Sequence, residues 1–189
     1  MRAQLASQNE HKLRELEGAL AEWKLSLLET DGFPPEEGQS YEENARAKAR
    51  FGRRVGDPDA WILGEDSGIE VAALADGPGL ESARWARGEH VARLLAALEG
   101  AGERAARYVC VLVGIAPDGR ELVGRGVLEG SIAQDARGSE GFGFDPVFVP
   151  AGETRTVAEL GNEWKARNSH RARAAQSLRE AIEAATART

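Results

Sequence analysis

A chain of 189 residues with 24 Lys and Arg against 31 Asp and Glu carries a formal charge of −7, which argues against a general nucleic-acid coat. One cysteine, Cys110, excludes an internal disulfide and a multi-cysteine zinc site, and three His leave little support for a His-rich metal centre or a Ser–His–Asp triad. No apolar run approaches the ~18 residues of a membrane helix, and Met1 to Lys12 lacks the apolar stretch of a secretory signal, so one cytoplasmic domain over 1–189 is expected.

Ala3 to Ala6 reads as a short strand running into Ser7-Gln8-Asn9. Leu13, Leu16, Leu20, Trp23 and Leu27 then recur at helical spacing and predict one long helix, capped by Ser7 or Asn9. Asp31 to Gly38 holds two Pro and two Gly and predicts a loop. Ser40 and Glu43 form a capping-box pattern that opens a second helix over Tyr41 to Arg54. Trp61-Ile62-Leu63 predicts a buried strand ending in Gly64-Glu65-Asp66-Ser67-Gly68, with Ile69 to Leu74 as its continuation or a hairpin partner. Asp76 to Gly79 reads as a turn, and Val91, Leu94, Leu95 and Leu98 mark a third helix. Tyr108 to Ala116 is a strand, turned by Pro117 to Arg120 into Glu121 to Gly130 as a hairpin. A glycine-rich loop over Gly138 to Gly143 precedes the brief strand Val147-Phe148-Val149, and Ala172, Ala175, Leu178, Ile182 and Ala185 share one face of the last helix. Strands interleaved with helices imply an α/β or α+β fold around a mixed sheet.

Charge is unevenly placed. Residues 1–100 hold 12 basic and 19 acidic side chains, and residues 101–189 hold 12 of each. That split suits either a metal-bound polyanion or two ordinary solvated faces. Four segments could carry chemistry. Ser7-Gln8-Asn9 with Lys12 one turn on is either a phosphate seat at a helix start or a plain cap. Glu36-Glu37 in a loop and Glu65-Asp66 past a strand offer oxygen ligands to Mg²⁺, or are turn residues. Gly141-Phe142-Gly143-Phe144-Asp145-Pro146 can stack a flat base and bind its edge, or plug the core. Lys165 and His170-Arg171 can hold a carbonyl and a phosphate, or simply open a helix, where cations oppose the dipole and ask for an anion. Cys110 reads as a buried hydrophobe.

Taken together, six motifs resemble the inosine triphosphate pyrophosphatase family in their order along nearly the whole chain. They are Ser7-x-Asn9-x-x-Lys12-x-x-Glu15, Tyr41-x-Glu43-Asn44-Ala45-x-x-Lys48-Ala49, Glu65-Asp66-Ser67-Gly68, Pro78-Gly79-x-x-Ser82-Ala83-Arg84, Gly141 to Pro146, and Ala158-Glu159-Leu160 through Lys165 to Ser169-His170-Arg171. The resemblance implies an α/β fold: a long central mixed β-sheet flanked by helices, in two lobes with an active-site cleft between them. It implies Mg²⁺-dependent hydrolysis of ITP, dITP and XTP to monophosphate and pyrophosphate, by a homodimer. Ser7, Asn9 and Lys12 would hold the triphosphate within a substrate-contacting stretch that includes Gln8, Glu10 and His11, although the spacing puts His11 on the solvated helix face. Lys48 would lean on the same tail. Glu36, or its neighbour Glu37, would bind metal with Asp66, which is also the general base. Ser67 would touch substrate, Phe142, Gly143, Phe144 and Asp145 would form the nucleoside pocket, and Lys165, His170 and Arg171 would close it. No nucleic acid or membrane partner is implied.

Phosphoryl transfer needs charge neutralisation and an oriented water more than a covalent group, which fits this residue set. Donors from His170 and Arg171 suit a 6-oxo purine and clash with the 6-amino group of adenine. Two other readings are a Maf-like pyrophosphatase acting on other modified nucleotides, which Ser-His-Arg and Phe-Gly-Phe-Asp fit poorly, and a nucleotide sensor that does not hydrolyse. A sensor has no need of a water-activating carboxylate.

Overall fold

In the computed structural model, which describes residues 1–187, alternating burial at Ala3 and Leu5 makes Arg2–Leu5 a strand, β1. Asn9 caps α1 (Glu10–Ala19), its Oδ1 accepting the backbone N–H groups of His11 at 2.9 Å and Lys12 at 3.3 Å. The predicted long helix is two elements. α1 stops at Ala19, and Lys24–Leu27 is instead a strand, β2, parallel to β1 with Arg2 opposite Lys24. Leu25 and Leu27 alternate as a strand requires and still pack on the same apolar cluster as Leu13.

Helix α2 (Tyr41–Val55) begins as expected. Ser40 Oγ accepts the Glu43 N–H at 3.2 Å, while the Glu43 carboxylate reaches back to the Gln39 N–H at 2.8 Å rather than to Ser40. β3 (Trp61–Val71) runs unbroken through Asp66, so the second apolar stretch is a continuation and not a hairpin partner. The expected turn holds β4 (Gly77–Pro78), antiparallel to β3. Next come α3 (Ser82–Ala86), α4 (His90–Ala97), β5 (Ala105–Ile115) and β6 (Glu121–Ile132). β7 (Phe148–Pro150), α5 (Val157–Leu160), α6 (Asn162–Asn168) and α7 (His170–Thr186) complete the order. α3, α5 and α6 are short and carry no apolar stripe long enough to announce them. The sheet runs β2-β1-β3-β5-β6-β7 with β4 on β3, and parallel and antiparallel pairs make it mixed. Helices flank it, so the expected fold class holds. No helix among the described residues is long and apolar enough to cross a membrane.

Two units divide the chain, which passes between them within β3, β5 and β6 and again between α6 and α7. The first comprises, among the described residues, 1–66, 110–126 and 170–187. Its core gathers Leu5, Leu16, Trp61, Leu63, Leu112 and Leu178, and each fully buried leucine contributes about 1.5–3 kcal/mol. Gly64 lets α2 lie directly on β3, since a Cβ there would sit 2.0 Å from the Ala45 carbonyl and 2.5 Å from the Ala49 nitrogen. The second unit, residues 67–109 and 127–169, packs Ile69, Val71, Leu94, Tyr108, Phe144 and Phe148 into its own core.

Candidate active site

In the first unit, β3 delivers Glu65 and Asp66 as neighbouring residues, both buried, and strand alternation turns them to opposite faces of the sheet. Glu65 meets two cations. Lys12 Nζ from α1 lies 2.6 Å from Oε2, and Arg171 Nε from α7 donates to Oε1 at 3.0 Å. Arg171 also donates through Nη1 to Glu15 at 3.1 Å, and Cys110 Sγ lies 3.5 Å from Glu65 Oε1. Burial pushes the Glu65 carboxyl up, but Lys12, Arg171 and Lys48 outweigh it and hold it well below 4.5. Burial disfavours the Arg171 charge, yet Glu65 and Glu15 raise that group above its ordinary value. Burial and the Glu65 charge push the Cys110 thiol far up, so Cys110 stays a neutral, buried thiol.

Asp66 belongs to a second cluster. Lys48 Nζ, from α2, forms an ion pair with Glu36, donates to Asp66 Oδ1 at 3.1 Å and donates to the Glu65 carbonyl at 3.0 Å. Asn44 ties the pieces together. Its Nδ2 donates to Asp66 Oδ2 at 3.1 Å, and its Oδ1 accepts the Gly38 N–H at 2.8 Å, two residues from Glu36. A Cβ at Gly38 would fall 2.5 Å from that same Oδ1, so the close approach requires glycine. Burial raises the Asp66 pKa above 3.8; Lys48 opposes this, and the Glu65 charge adds to it. Burial disfavours the Lys48 charge, but Asp66, Glu65 and Glu36 raise its pKa above the ordinary value.

The remaining expected residues of this unit fall as follows. Ser7 is half-buried and its Oγ accepts the Asn9 N–H at 3.1 Å, so Ser7 and Asn9 both shape the start of α1. Gln8, Glu10 and His11 are exposed, and Glu10 pairs with Arg14 at 2.9 Å. Glu36 pairs with Lys48, whereas Glu37 is exposed. His170, buried, opens α7. Two carboxylate oxygens from separate elements therefore converge on one positive charge, a hard donor set that suits Mg²⁺. Among the described residues no three His, Cys, Asp or Glu side chains gather as a metal site.

In the second unit, Ser67 follows Asp66 along β3 and is half-buried. Asp145 closes the turn after Gly141: its Oδ2 accepts the Phe142 N–H at 2.7 Å and a hydrogen bond from Lys165 Nζ at 2.6 Å. Tyr108 donates to Asp145 Oδ1 at 3.3 Å. Lys165 Nζ also lies 4.7 Å from the centre of the Phe142 ring. Gly141 and Gly143 take positive φ, 79° and 65°, which the tight turn demands. Phe142 is half-buried, while Phe144 is buried against Trp85 and His90 in the core.

Glu15, Asn44 and Tyr108 carry no expected role in the sequence reading. The first two stand inside the motifs and one turn of helix from a lysine, at Lys12+3 and Lys48−4, a spacing that puts each on its lysine's face. Tyr108 sits in an ordinary strand run and gives no local signal.

A family model described as the Ham1 family matches residues 3–181. The chain is 39% identical over 186 residues to the dITP/XTP pyrophosphatase of Bdellovibrio bacteriovorus, covering 88% of this chain and 93% of that protein. It is 44% identical over 178 residues to the dITP/XTP pyrophosphatase of Symbiobacterium thermophilum, covering 90% and 89% respectively. The solved Ham1 protein of Staphylococcus aureus superimposes with a TM-score of 0.83 at 30% identity, over 98% of this chain and 100% of that one. These matches bear out the resemblance carried by the six motifs.

Proposed function

The chain belongs to the Ham1 family, and from that premise we propose that it hydrolyses the non-canonical purine nucleoside triphosphates ITP, dITP and XTP to the monophosphate and pyrophosphate. The observation that carries this reading is the convergence of Glu36 and Asp66 on Lys48, beside a Glu65 held between Lys12 and Arg171. On this reading Asp66 is the general base, Glu36 and Asp66 are the metal carboxylates, and the lysines are the cations a triphosphate needs.

Glu36 and Asp66 would hold Mg²⁺, which when bound would supply charge neutralisation and polarise the anhydride. Lys12 and Lys48 balance the phosphate tail. Asp66 orients the attacking water and takes its proton. Glu65 acts behind the reacting groups, keeping the Lys12 ammonium and the Arg171 guanidinium in place. In the second unit Phe142 offers a stacking face that suits a flat base; in the first, His170 and Arg171 carry donors that suit a 6-oxo group. The family resemblance further supports a cytoplasmic homodimer.

The test uses purified protein with Mg²⁺ and ITP, dITP, XTP, ATP, GTP, dUTP or 7-methyl-GTP. Phosphate is measured before and after inorganic pyrophosphatase is added. The expected result is phosphate from ITP, dITP and XTP only after that addition, abolished by EDTA and restored by Mg²⁺. Equal rates with ATP, or direct phosphate release, would overturn the substrate or the reaction. Light scattering giving a one-chain mass would remove the dimer.

A further inference from the structure

Three donors from three parts of the second unit meet on the Asp145 carboxylate, and together they set the turn that carries Phe142. The Phe142 N–H lies 2.7 Å and Lys165 Nζ 2.6 Å from Oδ2, and the Tyr108 hydroxyl lies 3.3 Å from Oδ1. Asp145 and Lys165 are each 3% exposed, so their charges are held by one another rather than by water. The Asp145 N–H also donates to the Phe142 carbonyl at 3.3 Å, and a Cβ at Gly141 would fall 2.2 Å from Asp145 Oδ2. The direction of this carboxyl therefore fixes the direction of the turn, and with it the Phe142 ring.

Tyr108 is the rigid end of this arrangement. It lies inside β5, and its ring packs 4.4 Å from that of Phe148, both buried. Packing on Phe148 needs the ring alone; the hydroxyl adds the bond to Asp145. A buried phenol anchored in a strand holds a carboxylate more firmly than a flexible chain does, because little rotamer freedom remains to be lost.

We propose that Tyr108 is a positioning residue for base recognition: through Asp145 it holds the Phe142 turn in the orientation that receives a purine. The proposal rests on the reading of Phe142 as the base-stacking residue. A looser turn lowers the fraction of molecules ready to bind, and apparent affinity falls by that fraction. Chemistry at Asp66 after binding is untouched.

The test is Tyr108→Phe, assayed with ITP and with two competitive inhibitors, inosine (base without tail) and tripolyphosphate (tail without base). The expected result is a KM for ITP and a Ki for inosine both raised about tenfold, the scale of one hydrogen bond to a charged group. The kcat stays within about twofold, and the tripolyphosphate Ki is unchanged. Unchanged inosine affinity overturns the proposal, and so does equal weakening of both inhibitors, which is general distortion. Phe142→Ala separates the two layers. If it leaves inosine binding intact, the base-stacking reading falls and takes the proposal with it. If it weakens inosine and Tyr108→Phe does not, only the proposal falls. Should Tyr108→Phe fold poorly, Asp145→Asn keeps an acceptor for the Phe142 N–H and loses the ionic hold on Lys165. It raises the same two constants by at least as much, and wild-type inosine affinity in that variant overturns the proposal.

Discussion

Replacing Glu65 with Gln removes one negative charge from between two buried cations. The Glu65 side chain is fully buried, with Lys12 at 2.6 Å on one oxygen and Arg171 at 3.0 Å on the other, and Glu15 remains as a partner for Arg171 alone. Removing one member of a buried ion pair costs about 3–5 kcal/mol. The Gln carbonyl still accepts one hydrogen bond and Lys12 retains some solvent, so about 3 kcal/mol is the expected loss at pH 7. With a urea slope of about 2 kcal/mol per molar, the unfolding midpoint falls by about 1.5 M. The pH dependence follows from the direction of the shift. Glu65 is depressed in the folded chain from its ordinary 4.5, so its stabilisation is complete above that value and lost as pH falls toward the folded one. The gap between wild type and Glu65→Gln should therefore be widest at neutral pH and narrow progressively below pH 4.5. Urea titrations at pH 7 and at a series of acid pH values measure it. An unchanged midpoint at pH 7, or a gap that persists undiminished into acid, would refute the account of Glu65 as the counter-ion of Lys12 and Arg171.

Three further substitutions probe separate parts of the chain. Asp66→Asn should lower kcat by about 10²-fold or more, the scale of a lost general base. Because burial raises the Asp66 pKa, its charged form costs stability at neutral pH, and the variant should melt no lower than wild type; near-full kcat would remove Asp66 from the mechanism. His170→Ala should narrow the ITP-to-ATP ratio of kcat/KM, and an unchanged ratio would show that the 6-oxo group is read by another residue. Gly64→Ala forces a methyl to within 2.0 Å of the Ala45 carbonyl and should destabilise the fold by about 1–3 kcal/mol in chemical unfolding. Wild-type stability in that variant would mean that α2 can lift from β3 at no cost.

Much of this molecule is written locally. α2 is legible because Ser40 and Glu43 sit at its first turn, and the start of β3 because Trp-Ile-Leu is a short apolar run, although that run alone leaves open whether the strand continues past Asp66 or turns back. The order of the six motifs carries the family, and helix spacing puts Asn44 with Lys48 and Glu15 with Lys12. What the sequence could not decide are choices in which two local readings are equally good. Leu20, Trp23 and Leu27 satisfy a helical period, while Leu25 and Leu27 satisfy a strand, and the pairing of Arg2 with Lys24 settles the matter for the strand. Lys12 suits a phosphate as well as it suits a carboxylate, and only the fold brings Glu65 to it across 53 positions of chain. Arg171 finds Glu15 across 156 positions, and the hydroxyl of Tyr108 finds Asp145 across 37. Periodicity and capping act over a few residues, because they depend on neighbours along the backbone. Charge pairing depends on distance in space, which is known only once the chain has closed on itself.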